Sequence, residues 1–444
     1  MKAIFVSVII SLSIISAGYW LHLHDRNDHR ELVTDVTGKI EVVVCSVNSA
    51  RKSTLRNTDL INNIVNGLPE GTHVLLLVND RKSFASHGNS QNVTMIEMPD
   101  ESDMSIWPQD PFLVLNGDDG PELLVPSRFD REDDRQMAGV LSEALQLKTT
   151  KTELAFEGGN IICGEEVVFI GNDTIVENAQ ELGLSRHQVI QRFEGLLGRE
   201  ILVVGKGKQK IGHIDMILTP LPNKMVMVAD SRLGAEKATE ILRDSPEKVE
   251  RFEQQCEDSF FGRADVVSLV DKTGATIARP QLAGGTAHAI AGSLAIAPNL
   301  DQIAEQIAKE GYRVVRVPAV LPPANALGVS TARNDKREPS RTQTDQTNPM
   351  QPADVSSDAD SVPNSFPYPF MTYSNVLLEV DQGSRLVYLP QYGLEKLDRY
   401  AVSVWQSLGF EVIPIAGFST SAMYGGAMRC CTKVLQRRQS LTQP

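Results

Sequence analysis

Positive charge is in short supply in this chain: 43 lysines and arginines face 56 aspartates and glutamates, for a formal net charge of −13. Phosphate binding requires clustered cations, so the balance argues against nucleic acid as partner. It suits a cationic ligand through weak long-range attraction, although solubility alone would select the same surface. Cysteine is also scarce. Cys45, Cys163, Cys256, Cys430 and Cys431 are the five in 444 residues. None has the spacing to histidines that a zinc site needs, and an odd number cannot all pair. Cys430 and Cys431 are adjacent, a poor arrangement for a structural disulfide. One reactive thiol in a protein without a disulfide framework fits this usage best. A repeat of fixed period is missing as well, so periodicity does not separate an open sheet from a radial arrangement.

A hydrophobic fraction of 41% and a charged fraction of 22% describe an ordinary soluble body. Ala3 to Leu21 is an apolar run after a single lysine, followed by a polar stretch. Residues 1–24 therefore read as a secretory signal peptide with small residues at Ser16-Ala17-Gly18, or as an uncleaved membrane anchor. Either way the body is expected to be exported. A second unusual stretch, residues 333–363, is Ser, Thr, Asp, Gln and Pro with almost no large apolar residue. It cannot bury enough surface to offset its ordering entropy and reads as a disordered insertion, with a lid over the site as the alternative.

Between these stretches, Val- and Ile-rich runs alternate with amphipathic helical patterns. Ile40–Val47, His73–Val78, Asn92–Met98, Glu122–Pro126, Ile201–Val204, His213–Leu218, Lys224–Ala229, Tyr312–Val317 and Glu411–Ile415 read as strands. Ser374–Val380 and Arg385–Leu389 read as a hairpin. Arg131–Leu147, Ser185–Leu197, Leu300–Glu310 and Glu395–Leu408 read as helices, several ended by glycine. Strand, helix and strand recur, which excludes all-α and all-β classes and leaves α/β.

Four motifs carry chemistry. Tyr424-Gly425-Gly426-Ala427-Met428-Arg429-Cys430-Cys431-Thr432 is a glycine-rich turn delivering a cysteine beside an arginine, which would favour the thiolate. Upstream lie Trp107-Pro108-Gln109-Asp110, Phe156-Glu157-Gly158-Gly159-Asn160 and Gly212-His213-Ile214-Asp215. Taken alone, Asp110 would cap a turn and Glu157 would sit in one. His213 and Asp215, two apart in a predicted strand, would share one face and could meet one ligand.

In this order the motifs resemble the guanidino-group-modifying enzymes, which include arginine, agmatine and peptidylarginine deiminases and the amidinotransferases. The resemblance spans about residues 38–436 and implies a five-bladed α/β propeller of pseudo-fivefold ββαβ repeats as one catalytic domain. It implies Cys430 as nucleophile, since the family places its cysteine before one variable residue and then Ser or Thr. His213 becomes the general acid and base, Asp110 and Asp215 the guanidinium-binding carboxylates, and Glu157 the residue orienting the histidine. Asn375 resembles a polar residue near the active site in some relatives, and Trp107 would line the substrate site. No cofactor or metal is implied. The implied reaction is hydrolysis of a guanidino group to a ureido product and ammonia. Gln109 before the aspartate resembles the peptidylarginine branch, and export agrees, with agmatine or free arginine as the alternative. An inactive guanidinium-binding propeller is the remaining reading.

Overall fold

The computed structural model describes residues 30–48, 57–81, 84, 92–99, 102, 104–118, 120–207, 211–261, 284–321 and 368–438. The N-terminal run, the polar insertion at 333–363, and hence the expectations of a signal or anchor and of disorder, lie outside these residues.

The described chain builds five small sheets. Strand β1 (Glu31–Leu32) leads to β2 (Lys39–Val47), helix α1 (Thr58–Gly67), β3 (His73–Val78) and β4 (Val93–Glu97). Then come β5 (Leu113–Gly117), β6 (Gly120–Val125), α2 (Glu132–Leu145) and β7 (Lys148–Lys151). Strands β8 (Ile161–Cys163) and β9 (Val167–Gly171) precede α3 (Asn172–Leu182), α4 (Arg186–Leu197) and β10 (Glu200–Val204). Strands β11 (Leu218–Leu221) and β12 (Met225–Asp230) precede α5 (Ser231–Asp244), α6 (Pro246–Phe261), α7 (Gly285–Lys309) and β13 (Arg313–Val320). The chain ends with β14 (Met371–Thr372), β15 (Leu377–Asp381), β16 (Ser384–Pro390), α8 (Glu395–Ser407), β17 (Glu411–Ile415), α9 (Phe418–Met423) and β18 (Lys433–Arg438).

One wiring recurs in all five sheets. An antiparallel pair is followed by a helical crossover to a parallel strand. It holds for β5–β6–β7, β8–β9–β10, β11–β12–β13 and β15–β16–β17. The fifth unit is assembled from both ends of the chain: β18 pairs antiparallel with β2, which then crosses to parallel β3. The sequence shows no period because the repeat is one of backbone pairing, and crossovers range from one helix to three.

Local chemistry accounts for the element ends. Helix α4 begins at Ser185, whose hydroxyl and the Gln188 side chain cap each other's backbone, and it ends on Gly198 at φ +71°. Helix α7 starts well before the predicted Leu300 and runs through Pro298. Its N-terminal part is rich in alanine and small residues that pack against α5, and Ser231 Oγ donates to Ser293 O at 2.7 Å. Glu253 on α6 accepts from the amides of Gly284 and Thr286 at 3.1 and 2.8 Å, which caps α7 from a neighbouring element. Most buried apolar residues form one continuous core, and a smaller cluster lies around Phe193, Val189 and Ile175.

Candidate active site

The residues singled out by their chemistry all precede the first strand of a unit. Asp110 lies before β5, Glu157 before β8, Asp215 before β11, Asn375 before β15 and Cys430 before β18, each within four residues of the strand. The five loops are joined hand to hand. Gly158 N donates to Asp110 O at 2.9 Å, and Ile214 N donates to Asn160 Oδ1 at 3.2 Å. Asn375 Nδ2 donates to Asp215 O at 3.1 Å, and Arg429 N donates to Asn375 Oδ1 at 2.7 Å. Lys433 Nζ then donates to Gln109 O at 3.1 Å, which returns to the first loop. The contacts form a closed ring of five.

Glycines set the spacing inside this ring. A Cβ on Gly159 would come within 2.4 Å of His213 Nδ1, and one on Gly158 within 2.0 Å of Gln109 O. A Cβ on Gly426 would meet the ring of Trp107 at 2.2 Å. Trp107 is buried and packs against the turn that delivers the cysteine. Gln109 is likewise turned inward, its Nε2 donating to Gly158 O at 3.4 Å.

His213 does not lie in a strand. It stands extended at the head of a 3₁₀ turn, Ile214–Met216, so the shared-face argument for His213 and Asp215 does not hold. A short apolar run with two polar interruptions satisfies the strand pattern equally well, and periodicity cannot separate the two. The turn nevertheless brings both groups to one place. His213 Nε2 is 2.5 Å from Glu157 Oε2, and its Nδ1 is 3.6 Å from Asp110 Oδ1. Burial pulls the imidazole pKa down, but the flanking charges of Asp110 and Glu157 win and raise it to about 10. The imidazolium is therefore the resting form at neutral pH.

Cys430 Sγ is 3.6 Å from Asp215 Oδ2 and 3.7 Å from Met216 Sδ, and it accepts from Asn375 Nδ2 at 3.3 Å. Burial, then the charges of Asp215 and Asp110, push its pKa well above the ordinary thiol value. The Arg429 guanidinium, which its position in the sequence set beside the thiol, pairs with Asp35. Burial also raises Asp215, to about 6, against the opposing charges of His213 and Arg429.

Two carboxylate oxygens stand out: Asp110 Oδ1 and Asp215 Oδ1 are buried and have no hydrogen-bond partner. Such groups are rare in folded proteins because each is costly to leave unpaired. The other oxygen of Asp110 already accepts from the guanidinium of Arg131 at 2.6 Å, and Arg131 Nε in turn lies 2.7 Å from Asp134. Sequence reading missed Arg131 as part of the site. The one available signal was its i,i+3 spacing to Asp134 at the start of α2. Ligand atoms of Asp110, Glu157 and His213 also lie within 4.8 Å of one another, close enough for a divalent cation, but the carboxylates already flank opposite sides of the ring.

Residues 47–269, half of the chain, match the family of Porphyromonas-type peptidyl-arginine deiminases. The chain belongs to this family. The deiminase family comprises hydrolases acting on carbon–nitrogen bonds of linear amidines, and this chain is one of them. Solved structures of agmatine deiminases share the mixed α/β fold. The C. jejuni enzyme superposes with a TM-score of 0.56 at 12% identity, covering 93% of this chain and 97% of its own. The Enterococcus faecalis enzyme gives 0.54 at 14% identity, with coverage of 93% and 97%. No match was found among curated protein sequences.

Proposed function

We propose that this deiminase-family chain hydrolyses an arginine-like guanidino group to a ureido product and ammonia, with Cys430 as nucleophile. The observation that carries the reading is the pair of buried oxygens that accept no hydrogen bond, Asp110 Oδ1 (with His213 Nδ1 at 3.6 Å) and Asp215 Oδ1, beside the Cys430 thiol. A planar guanidinium offers paired N–H donors to two carboxylates, and its charge relieves the repulsion that holds the thiol un-ionised. Binding thus prepares the nucleophile, and the thiol proton passes to solvent because His213 already carries one. The thiolate attacks the central carbon, forming the C–S bond of a tetrahedral adduct. The His213 imidazolium gives its proton to one nitrogen, which leaves as ammonia, and a covalent thiouronium remains on Cys430. His213, now neutral and oriented by Glu157, takes a proton from water. The hydroxide adds to the same carbon, the C–S bond breaks, the hydroxyl proton passes to the departing sulfur, and the ureido product leaves. Asp110 and Asp215 oppose the positive charge throughout. This scheme calls on no group beyond these side chains.

The five ββαβ units and the closed ring of five loops support a five-bladed α/β propeller, with the site on its axis. Arginine in peptides or proteins is the substrate we put first, on the resemblance at Gln109 and the export reading of residues 1–24. The same site would take agmatine or free arginine, and similarity in fold to agmatine deiminases supports that second reading. The deciding experiment measures ammonia and ureido product from agmatine, free arginine and a blocked arginine peptide. Cys430→Ala should be inactive, whereas Cys431→Ser, whose thiol is fully buried, should retain turnover. Turnover of the blocked peptide selects the first reading and turnover of agmatine alone selects the second. Activity surviving in Cys430→Ala would sink both.

A further inference from the structure

Behind the nucleophile turn lies a cavity of about 30 Å³ whose walls come from strands of four of the five sheets. Most of the wall is Leu, Ile and Val, and its polar lining is Asp35, Gln109, Arg429, Thr432 and Lys433. Arg429 and Lys433 are only 2% and 5% exposed. Asp35 is the one carboxylate on the wall, and it is shared between Arg429 and the amide of Cys163 at 2.7 Å. Arg429 Nε is buried and has no hydrogen-bond partner. Lys433 Nζ donates to Gln109 O and lies 5.4 Å from the centre of the Phe112 ring, so an ammonium with three donors faces one oxygen and one aromatic face. Arg437 adds a third cation nearby, donating to the carbonyls of Gly38, Leu378 and Asp35. Asp110 and Asp215 also act on Lys433, and Glu379 on Arg437, but none of the three lines the cavity. On the wall itself two buried cations face one carboxylate, which is costly unless a further negative charge joins them.

We propose that this cavity is a binding site for one small monovalent anion of chloride or bromide size, held between the Arg429 guanidinium and the Lys433 ammonium. The wall carries two cations and one carboxylate, so a single added negative charge balances it where a divalent anion would overshoot. Burial, with Arg429 assisting against Asp35, lowers the Lys433 pKa to about 7, and an anion here would restore its charge. Occupation also reaches the active site, since the charge of Arg429 helps keep Asp215 ionised.

The test is thermal denaturation of the full chain in sodium chloride, bromide, sulfate and gluconate at matched ionic strength. A ligand of the native state raises Tm in a saturable way. Chloride and bromide should do so, sulfate and gluconate should not, and Lys433→Met should lose the difference. Equal Tm in all four salts, or a difference that survives in Lys433→Met, overturns the proposal. Should that variant not fold, crystals of the unaltered protein grown in bromide decide the matter. An anomalous peak between Arg429 and Lys433 supports the site and its absence rejects it.

Discussion

Asn375 holds Cys430 from two directions: its Nδ2 donates to the thiol sulfur at 3.3 Å, while its Oδ1 accepts from the amide of Arg429, the preceding residue. The same Nδ2 reaches Asp215 O at 3.1 Å. One fully buried amide therefore fixes the Cys430 thiol relative to a carboxylate loop on a different sheet.

Replacing Asn375 by Ala strips partners from buried main-chain groups and should cost about 1–3 kcal/mol of stability. It should also lower kcat more than it changes KM, since ligand-facing oxygens remain. Thermal denaturation and steady-state kinetics on the same preparation check both halves. An unchanged kcat would remove Asn375 from the site.

Asp110→Asn takes away one of the two charges proposed to meet the substrate and leaves Arg131 paired with Asp134 alone. Breaking a buried charge pair costs about 3–5 kcal/mol. In kcat/KM that is about two to four orders of magnitude. Normal turnover would refute the carboxylate assignment.

Gly159→Ala should act through His213, because the new methyl would press on Nδ1 from 2.4 Å. A displacement of this kind costs on the order of 10²-fold in rate. Gly139, in helix α2 with open space around it, is the control. Its change to Ala should leave activity intact and add about 0.5–1 kcal/mol of stability. Equal effects at the two positions would mean that crowding of the histidine is not the cause.

The imidazole of His213 has its pKa raised from 6.5 to about 10, so it stabilises the fold when protonated. That contribution is complete below pH 6.5 and is lost as pH rises through about 10. The stability difference between the unaltered protein and His213→Asn should therefore shrink between pH 7 and 10.5. Lys433 has the opposite slope, and taking the difference between two proteins that both carry it cancels its part. Urea denaturation across this range reads the result, and a difference that is flat or grows would contradict the ion pairing of His213.

Much of the fold could be read in the chain. Ser185, Gly198 and the Val- and Ile-rich runs marked element ends to within a few residues, because capping and burial act locally. Glu411–Ile415 was read with the bounds it has. The fivefold wiring could not be read, since backbone pairing leaves no fixed spacing of side chains. Nor could Arg131 and Lys433, because a charged residue in sequence reads as surface until the fold encloses it. His213 and Asp215 show the converse: their grouping was legible, their backbone was not.

Strand β18, which carries the cysteine turn on its leading end, completes its sheet by pairing with β2 from the opposite end of the chain. During synthesis the Cys430 turn therefore emerges after the Asp110, His213 and Asp215 loops, and the sheet that anchors it closes only when β18 reaches back to β2.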